Sequence, residues 1–229
     1  SLEKLINYQI NGGIDFLVVI GTTGESATLS SQEKIEVITF CKKINNCRLP
    51  IVLGIGGNNT FALIEEIKST NLEGIDAILS VSPYYNKPTQ DGIYLHYKMI
   101  SEICPLPIIL YNVPGRTSSN ISAKTTLRLA NDFENIVAIK EASGDLVQIE
   151  TIINDRPNGF LVLSGDDGLT SKIIEIGGDG VIAVIGQSHP KCFSAMVNAG
   201  LNGDFEKANQ LHEKLNPIYE PLYKDGNPA

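Results

Sequence analysis

The sequence predicts an α/β fold in which short buried strands alternate with amphipathic helices. The chain has 229 residues, 42% of them hydrophobic, which is enough for one domain with a sizeable core. Seven short apolar runs rich in β-branched residues are the predicted strands: 16–20, 51–55, 77–81, 108–111, 137–140, 161–164 and 181–184. Each run is nearly continuous rather than alternating, as is typical of strands that are covered on both faces.

Helix signals separate these runs. A first helix is predicted before the first strand, because apolar residues recur there at helical spacing: Leu2, Leu5, Ile6 and Ile10. Ser30 and Glu33 have the spacing of a capping box. Ser122 and Asp145 are predicted to cap two later helices. The last predicted helix carries an apolar stripe of Phe205, Ala208, Leu211, Leu215 and Ile218.

The spacing of the strands favours a barrel. Strand starts recur roughly every 20 to 35 residues, as expected of successive βα units of a parallel sheet. We therefore predict a (β/α)8 TIM barrel, formed as a single domain by residues 1–229. Only seven strands are counted, so we expect the first strand and the C-terminal helices of the barrel to be absent from this chain. An open, doubly wound sheet of seven strands is the alternative.

Charge and composition exclude several classes of function. The net charge is −8 and no dense Lys/Arg cluster occurs, which argues against nucleic acids and anionic membranes as partners. No apolar run reaches the roughly 18 residues of a membrane span. The four cysteines form no Cys-x-x-Cys pair, and the three histidines lack ligand spacing. We therefore expect a cytoplasmic protein with reduced thiols and no metal.

Lys140 is the strongest candidate for chemistry. It ends the fifth predicted strand, at the strand end where sites of α/β folds gather. Burial there would disfavour the ammonium form and lower its pKa, and a neutral amine can form a Schiff base with a carbonyl. A strand-end lysine that simply reaches solvent is the common alternative.

Strand parity gives Lys140 possible neighbours. Side chains alternate between the two faces of a strand, so Lys140 shares a face with Ala138. By the same rule, Tyr111 shares a face with Ile109 and Thr22 with Ile20. If these faces point inwards, the amine, the phenol and the hydroxyl converge, and a tyrosine close to a lysine can move protons during imine formation.

Two loops are candidate binding segments. The turn 21–24 reads Gly-Thr-Thr-Gly, and its backbone N–H groups could cradle a carboxylate. Arg116 follows a Pro-Gly turn and could bind a carboxylate through two hydrogen bonds, or could simply be a solvated loop arginine. Tyr84 and Tyr85 on another loop could pack with their hydroxyls at the surface.

Five motifs together closely resemble the dihydrodipicolinate synthase (4-hydroxy-tetrahydrodipicolinate synthase) family, in its order and at about its spacing: 21–29, 83–88, 111–117, 139–144 and 163–167. The resemblance implies a (β/α)8 class I aldolase of lysine and diaminopimelate biosynthesis. It implies that pyruvate condenses with L-aspartate 4-semialdehyde through a covalent imine, without a metal or organic cofactor. It also implies a homo-oligomer, a dimer of dimers.

The same resemblance implies roles for seven residues. Lys140 would form the imine with pyruvate, and Tyr111 would be the general acid/base. Thr22 and Tyr85 would complete a proton relay, with Tyr85 arriving from a neighbouring subunit. Substrate binding would fall to Thr23 at the pyruvate carboxylate, to the backbone carbonyl of Ile182 facing pyruvate, and to Arg116 at the carboxylate of the semialdehyde.

Two alternatives remain open from the sequence. N-acetylneuraminate lyase and related sugar-acid aldolases share the lysine, the tyrosine and the Gly-Thr turn, but Arg116 in its Asn-Val-Pro-x-Arg-Thr context favours the synthase. A barrel that only binds a ligand or partner is the alternative from a different class.

Overall fold

A computed structural model describes residues 1–226 and contains a seven-stranded parallel sheet. The strands are β1 Leu17–Val19, β2 Ile51–Gly54, β3 Ala77–Val81, β4 Ile108–Asn112, β5 Ile136–Glu141, β6 Leu161–Ser164 and β7 Gly180–Val181. All seven predicted strands are confirmed. The last is shorter than predicted and is followed by a 3-10 helix, Ile185–Gln187.

Ten α-helices are described: α1 Leu2–Asn11, α2 Ser31–Asn45, α3 Thr60–Ser69, α4 Gln90–Ser101, α5 Pro114–Thr117, α6 Ala123–Asp132, α7 Leu146–Asp155, α8 Thr170–Glu175, α9 Pro190–Leu201 and α10 Phe205–Tyr223. The predicted caps are confirmed, since Ser30 and Glu33 form a reciprocal capping box and Ser122 and Asp145 accept N–H groups of α6 and α7. Each cap satisfies donors that have no partner within the helix. Within residues 1–226, no helix is both long and apolar enough to cross a membrane.

The order of the strands excludes the doubly wound alternative. Each strand pairs in parallel with the strand that follows it in sequence, from β1 through β7. A doubly wound sheet instead contains a point at which the strand order reverses. Right-handed crossovers that all run in one direction place the helices on one face of the sheet. The other face is therefore free to curve inwards.

The curvature brings the two ends of the sheet close together. Helix α1 packs on α2 and also on α9, which follows the last strand. The Tyr8 hydroxyl donates a hydrogen bond to the Ser188 carbonyl at 3.0 Å. A Cβ on Gly12, which ends α1, would lie 2.5 Å from the Pro190 side chain, so the close contact requires glycine. The helices thus close around the curled sheet.

Two apolar layers lie on the two faces of the sheet. The outer layer, between sheet and helices, includes Ile78, Leu110, Ile139 and Val162. The smaller inner layer consists of Val52, Ala77, Leu79, Ile109, Tyr111, Val113, Ala138, Leu163 and Ile182. The β4–β5 register shifts by one residue at Val137, because Ile108 pairs with Ile136 whereas Ile109 pairs with Ala138. After this bulge, Ala138 and Lys140 share one face, as parity predicted, and that face points inwards.

Candidate active site

A cavity of about 1440 Å³ extends from the inner face of the curled sheet to residues of α1 and α9. Six of the seven residues proposed from the sequence line this cavity: Thr22, Thr23, Tyr111, Arg116, Lys140 and Ile182. They arrive from five different segments of the chain, at the carboxyl ends of the strands. The fold therefore brings together groups that are up to 160 residues apart, since the cavity reaches from Thr22 to Ile182.

Lys140 lies in the middle of this constellation. In the sheet it pairs with Tyr111 on one side and with Leu163 on the other. Its Nζ lies 4.2 Å from the centre of the Tyr111 ring. A Cβ on Gly165 would lie 3.1 Å from Lys140 Cε and 2.6 Å from Ala142 Cβ, so glycine allows the backbone to approach the lysine closely.

The electrostatic surroundings of Lys140 favour a neutral amine. Burial lowers its pKa to about 8; the negative charge of Asp167 opposes this effect, while the positive charge of Arg116 adds to it. Among residues 1–226, no carboxylate lies within 4 Å of its amine. The side chain is partly accessible from the cavity, so a small substrate can reach it.

Tyr111 is an ionisable neighbour of Lys140. Its ring is buried, with 7% of its surface exposed. Burial raises the pKa of the phenol, whereas a hydrogen bond with Thr22 and the charge of Arg116 both act to lower it. Burial thus favours the protonated phenol, and its place beside Lys140, with a hydrogen bond to Thr22, suits Tyr111 to passing protons to and from the amine.

Thr22 and Thr23 reach the cavity by a turn rather than by strand alternation. Strand β1 ends at Val19, Ile20 adopts a left-handed conformation with φ 60°, and Thr22 begins a 3-10 helix, Thr22–Gly24. Ile20 packs in the outer layer. The expectation that Thr22 and Ile20 share one strand face is therefore wrong, although Thr22 is correctly placed beside Tyr111.

A glycine makes this turn possible. A Cβ on Gly54 of the neighbouring strand would lie 2.2 Å from the Ile20 carbonyl oxygen. Any side chain at Gly54 would displace the turn that presents Thr22 and Thr23 to the cavity.

Arg116 and Ile182 lie at the cavity wall. Arg116 is exposed on the short helix α5, close enough for its charge to act on both Lys140 and Tyr111. Ile182 follows β7, is 7% exposed, and donates its N–H to the Ser164 carbonyl at 2.9 Å. A guanidinium beside a lysine makes this part of the cavity suitable for substrates that carry carboxylates.

Tyr85 does not reach the cavity of its own chain. It is 89% exposed and has a left-handed backbone with φ 72°. Its N–H lies 3.4 Å from the Thr117 carbonyl, which ties the loop to the segment beside Arg116. An aromatic ring held in this way points away from the molecule rather than into it.

The sequence interpretation missed two buried carboxylates. Asp167 is 1% exposed in the loop after β6, and Glu141 is fully buried directly after Lys140. Strand alternation is the signal that could have identified Glu141 as buried. If Lys140 faces inwards, the next residue must face the helices, where a carboxylate needs hydrogen-bond donors. Asp167 lies within the motif 163–167, but nothing in the sequence distinguishes it from the adjacent Asp166.

Comparisons with known proteins give one consistent result. A sequence profile of the dihydrodipicolinate synthetase family matches residues 1–229. A Flavobacterium psychrophilum protein named 4-hydroxy-tetrahydrodipicolinate synthase is 54% identical over 229 residues, which is 100% of this chain and 78% of that protein. A Parabacteroides distasonis protein of the same name is 51% identical, covering 100% of this chain and 77% of that protein.

Solved structures agree. A crystal structure of a dihydrodipicolinate synthase from Acinetobacter baumannii, described as complexed with pyruvate, superposes with a TM-score of 0.93. It is 41% identical, and the match covers 97% of this chain and 76% of that one.

Proposed function

The chain belongs to the dihydrodipicolinate synthetase family, and on that premise we propose that it condenses pyruvate with L-aspartate 4-semialdehyde to give 4-hydroxy-tetrahydrodipicolinate. The observation that carries this proposal is the amine of Lys140, whose pKa is lowered to about 8 in a cavity that it shares with Tyr111 and Arg116. At pH 7 about a tenth of such an amine is neutral and nucleophilic.

The first half of the reaction forms an imine. The neutral Lys140 amine attacks the ketone carbon of pyruvate and gives a carbinolamine. Tyr111 supplies a proton to the departing hydroxyl, which leaves as water, and Thr22 relays protons to and from the phenol. Thr23 and the Ile182 carbonyl hold the pyruvate in this step. The only covalent partner that the reaction requires is Lys140 itself, so it needs no metal or organic cofactor.

The second half forms the carbon–carbon bond. The imine makes the methyl group of pyruvate acidic, because the resulting enamine spreads its charge onto nitrogen. The enamine carbon attacks the aldehyde of the second substrate, whose carboxylate binds Arg116. The amine of that substrate then attacks the imine carbon, which closes the ring and releases Lys140.

We further propose that the seven-stranded sheet belongs to a (β/α)8 barrel, and that residues 1–229 lie within that barrel as one domain. The sequential parallel order of the strands and the contact of α1 with α9 support this. A barrel places all strand ends around one centre, which accounts for the convergence of side chains from β4 through β7. We place the protein in the cytoplasm, in keeping with its four unpaired cysteines.

We also propose that the site is completed in a homo-oligomer, a dimer of dimers. Tyr85 is the residue that supports this, since its ring is 89% exposed and points away from its own cavity. A second copy could receive that ring next to Thr22, extending the proton relay across the interface.

Trapping with borohydride tests the proposed function. The protein is incubated with pyruvate, reduced, digested and mapped by mass spectrometry; we expect a pyruvate-derived adduct on Lys140. Lys140→Met should lose the adduct, whereas Lys124→Met, which alters an exposed lysine of α6, should keep it. Absence of the adduct in the unmodified protein refutes the proposal.

The second substrate is tested separately. With pyruvate present, consumption of aspartate semialdehyde supports the synthase, whereas consumption of a sugar aldehyde instead would assign the chain to the sugar-acid aldolases.

A further inference from the structure

One buried carboxylate holds the segment that follows β7. Asp167 Oδ1 accepts the N–H of Val184 at 3.0 Å, and Oδ2 accepts the N–H of Ile185 at 2.8 Å. The Tyr223 hydroxyl of α10 approaches the same Oδ2 at 3.4 Å. With 1% of its surface exposed, Asp167 is sequestered from solvent, so these donors replace the water that an aspartate would otherwise bind.

The adjacent aspartate has a different function. Asp166 Oδ1 accepts the N–H groups of Gly168 and Leu169, at 2.9 and 3.2 Å, and so closes its own turn. Asp167 instead bridges two separate segments, the loop after β6 and the turn after β7. Of the two aspartates, Asp167 is therefore the one that couples residues 184–185 to the segment after β6.

The held segment forms part of the cavity wall. Ile182 and Ala183 line the cavity and lie between two anchors. The first anchor is the hydrogen bond from the Ile182 N–H to the Ser164 carbonyl at 2.9 Å, and the second is the pair of bonds at Asp167. Loss of the second anchor would leave this wall attached at one end only.

The charge of Asp167 also acts on Lys140. The aspartate raises the pKa of the lysine, and the lysine in turn lowers that of the aspartate, which burial otherwise raises. The other charge that acts on Lys140 is Arg116, with the opposite sign. Around Asp167 itself stand Asp166 and the phenol of Tyr223, with Tyr219 on the same helix.

We propose that Asp167 is a positioning residue of this site: its carboxylate fixes the backbone of residues 184–185, and so holds the adjoining cavity wall at 182–183, while its negative charge acts on the Lys140 amine. The inference rests on the proposed function for its catalytic consequence, whereas its structural part stands on the hydrogen bonds alone. A carboxylate is suited to this place because both oxygens accept; an amide would turn an N–H₂ group towards a backbone N–H.

Asp167→Asn is the test, with Asp145→Asn as the matched control. Asp145 also accepts two consecutive backbone N–H groups, from Val147 and Gln148 at 3.0 and 3.1 Å, but it is exposed and does not contribute to the charge at Lys140. Hydrogen exchange of a peptide covering 182–187 reports the anchor without any substrate. We expect faster exchange there in Asp167→Asn and unchanged exchange in Asp145→Asn.

Kinetics report the consequence for chemistry. In Asp167→Asn we expect the KM for pyruvate to rise about tenfold, as for a lost hydrogen bond to a charged group. We expect the acid limb of the rate of imine formation to move to lower pH, because removing the negative charge lowers the pKa of Lys140. A general loss of folding would not produce that shift. Asp167→Glu, which keeps the charge, should return the acid limb towards its original position.

The outcomes separate the two proposals. Unchanged exchange at 182–187 together with an unchanged acid limb in Asp167→Asn overturns the positioning role. Should Asp167→Asn fail to fold, Asp167→Glu decides: an acid limb like that of the unmodified protein supports the role, and one shifted to lower pH contradicts it. Failure of the unmodified protein to form an adduct with pyruvate contradicts the proposed function. In that case, hydrogen exchange at 182–187 alone still tests the structural role of Asp167.

Discussion

Two neighbouring residues on β5 are ionisable, but their surroundings differ: Lys140 is partly accessible from the cavity, whereas Glu141 is fully buried. Lys140 points into the cavity, where its amine has no carboxylate within 4 Å among residues 1–226. Glu141 points outwards under the helices and is surrounded by donors. On the inner face, the Lys140 ammonium lacks an ion-pair partner, which favours the reactive neutral amine. On the outer face, hydrogen-bond donors surround the Glu141 carboxylate and fix its position.

The donors at Glu141 come from three segments. Asn112 Nδ2 lies 3.0 and 3.1 Å from the two carboxylate oxygens, the Ser143 N–H lies at 3.0 Å, and Gln148 Nε2 lies at 3.1 Å. Asn112 Oδ1 also accepts the N–H of Ile121 at 2.9 Å. Burial still raises the pKa of Glu141, and these hydrogen bonds oppose the effect.

This cluster joins the strand ends that carry the chemistry. Asn112 directly follows Tyr111 on β4, and Glu141 directly follows Lys140 on β5; both pairs are in register. A hydrogen bond between Asn112 and Glu141 on the outer face therefore fixes the distance between phenol and amine on the inner face. Hydrogen bonds on the outer face of the sheet thus position the phenol and the amine that face the cavity on the inner face.

Lys140→Arg tests the inner face with the largest expected effect. Arginine keeps the positive charge but cannot become neutral, so it cannot form the imine. We expect kcat to fall by about 10⁴-fold or more, measured by the consumption of pyruvate and aspartate semialdehyde. Lys98→Arg on the surface of α4 is the control and should keep its activity. Substantial turnover by Lys140→Arg would show that another group acts as the nucleophile.

Gly165→Ala tests how closely the inner face is packed around the lysine. The added Cβ would lie 3.1 Å from Lys140 Cε and 2.6 Å from Ala142 Cβ, so the lysine or the backbone must shift. We expect kcat to fall about 100-fold, as for an ångström-scale misplacement of a reacting group. Gly57→Ala is the control, because no atom lies within 4 Å of its added Cβ. Equal activity in the two variants would mean that catalysis does not depend on the exact position of the Lys140 amine.

Glu141→Gln tests the outer face, where the expected effect is smaller. The glutamine amide must turn its N–H₂ group towards a donor of Asn112 or Gln148, which leaves a buried donor unsatisfied. We expect the free energy of unfolding to fall by about 1 to 3 kcal/mol and kcat to fall about tenfold.

The pH dependence distinguishes the two faces. The charge of Glu141 is not among those that shift the pKa of Lys140, so the acid limb of imine formation should stay in place in Glu141→Gln. Chemical denaturation and pH-rate profiles check both expectations, with Glu150→Gln on the exposed side of α7 as the control. A displaced acid limb would show that the outer face acts on the lysine electrostatically.

Much of the fold followed from local patterns in the sequence. Continuous apolar runs predict strands covered on both faces, and the capping residues Ser30, Ser122 and Asp145 start the helices as predicted. The shared face of Lys140 and Ala138 also followed from period-two alternation along β5, because the bulge at Val137 precedes Ala138. That this face points inwards did not follow from the alternation.

Other features depend on contacts between distant segments and could not be predicted locally. The left-handed turn at Ile20 is tolerated because Gly54 lies opposite it on β2. Because this turn ends the strand alternation, the expectation that Thr22 shares a face with Ile20 was wrong. Asp167 and Asp166 are identical in type and adjacent, and only the position of residues 184–185 distinguishes their roles.

The pH dependence of imine formation at Lys140 tests the central claim most directly. The rate at which borohydride-trapped adduct accumulates on Lys140 is measured with excess pyruvate across a pH series. Because the neutral amine reacts, the rate should rise with pH and level off with a midpoint at about 8, which is a rise of about fivefold between pH 7 and pH 8. A midpoint near the ordinary lysine value of 10.5 would contradict the claim that burial prepares Lys140 for chemistry.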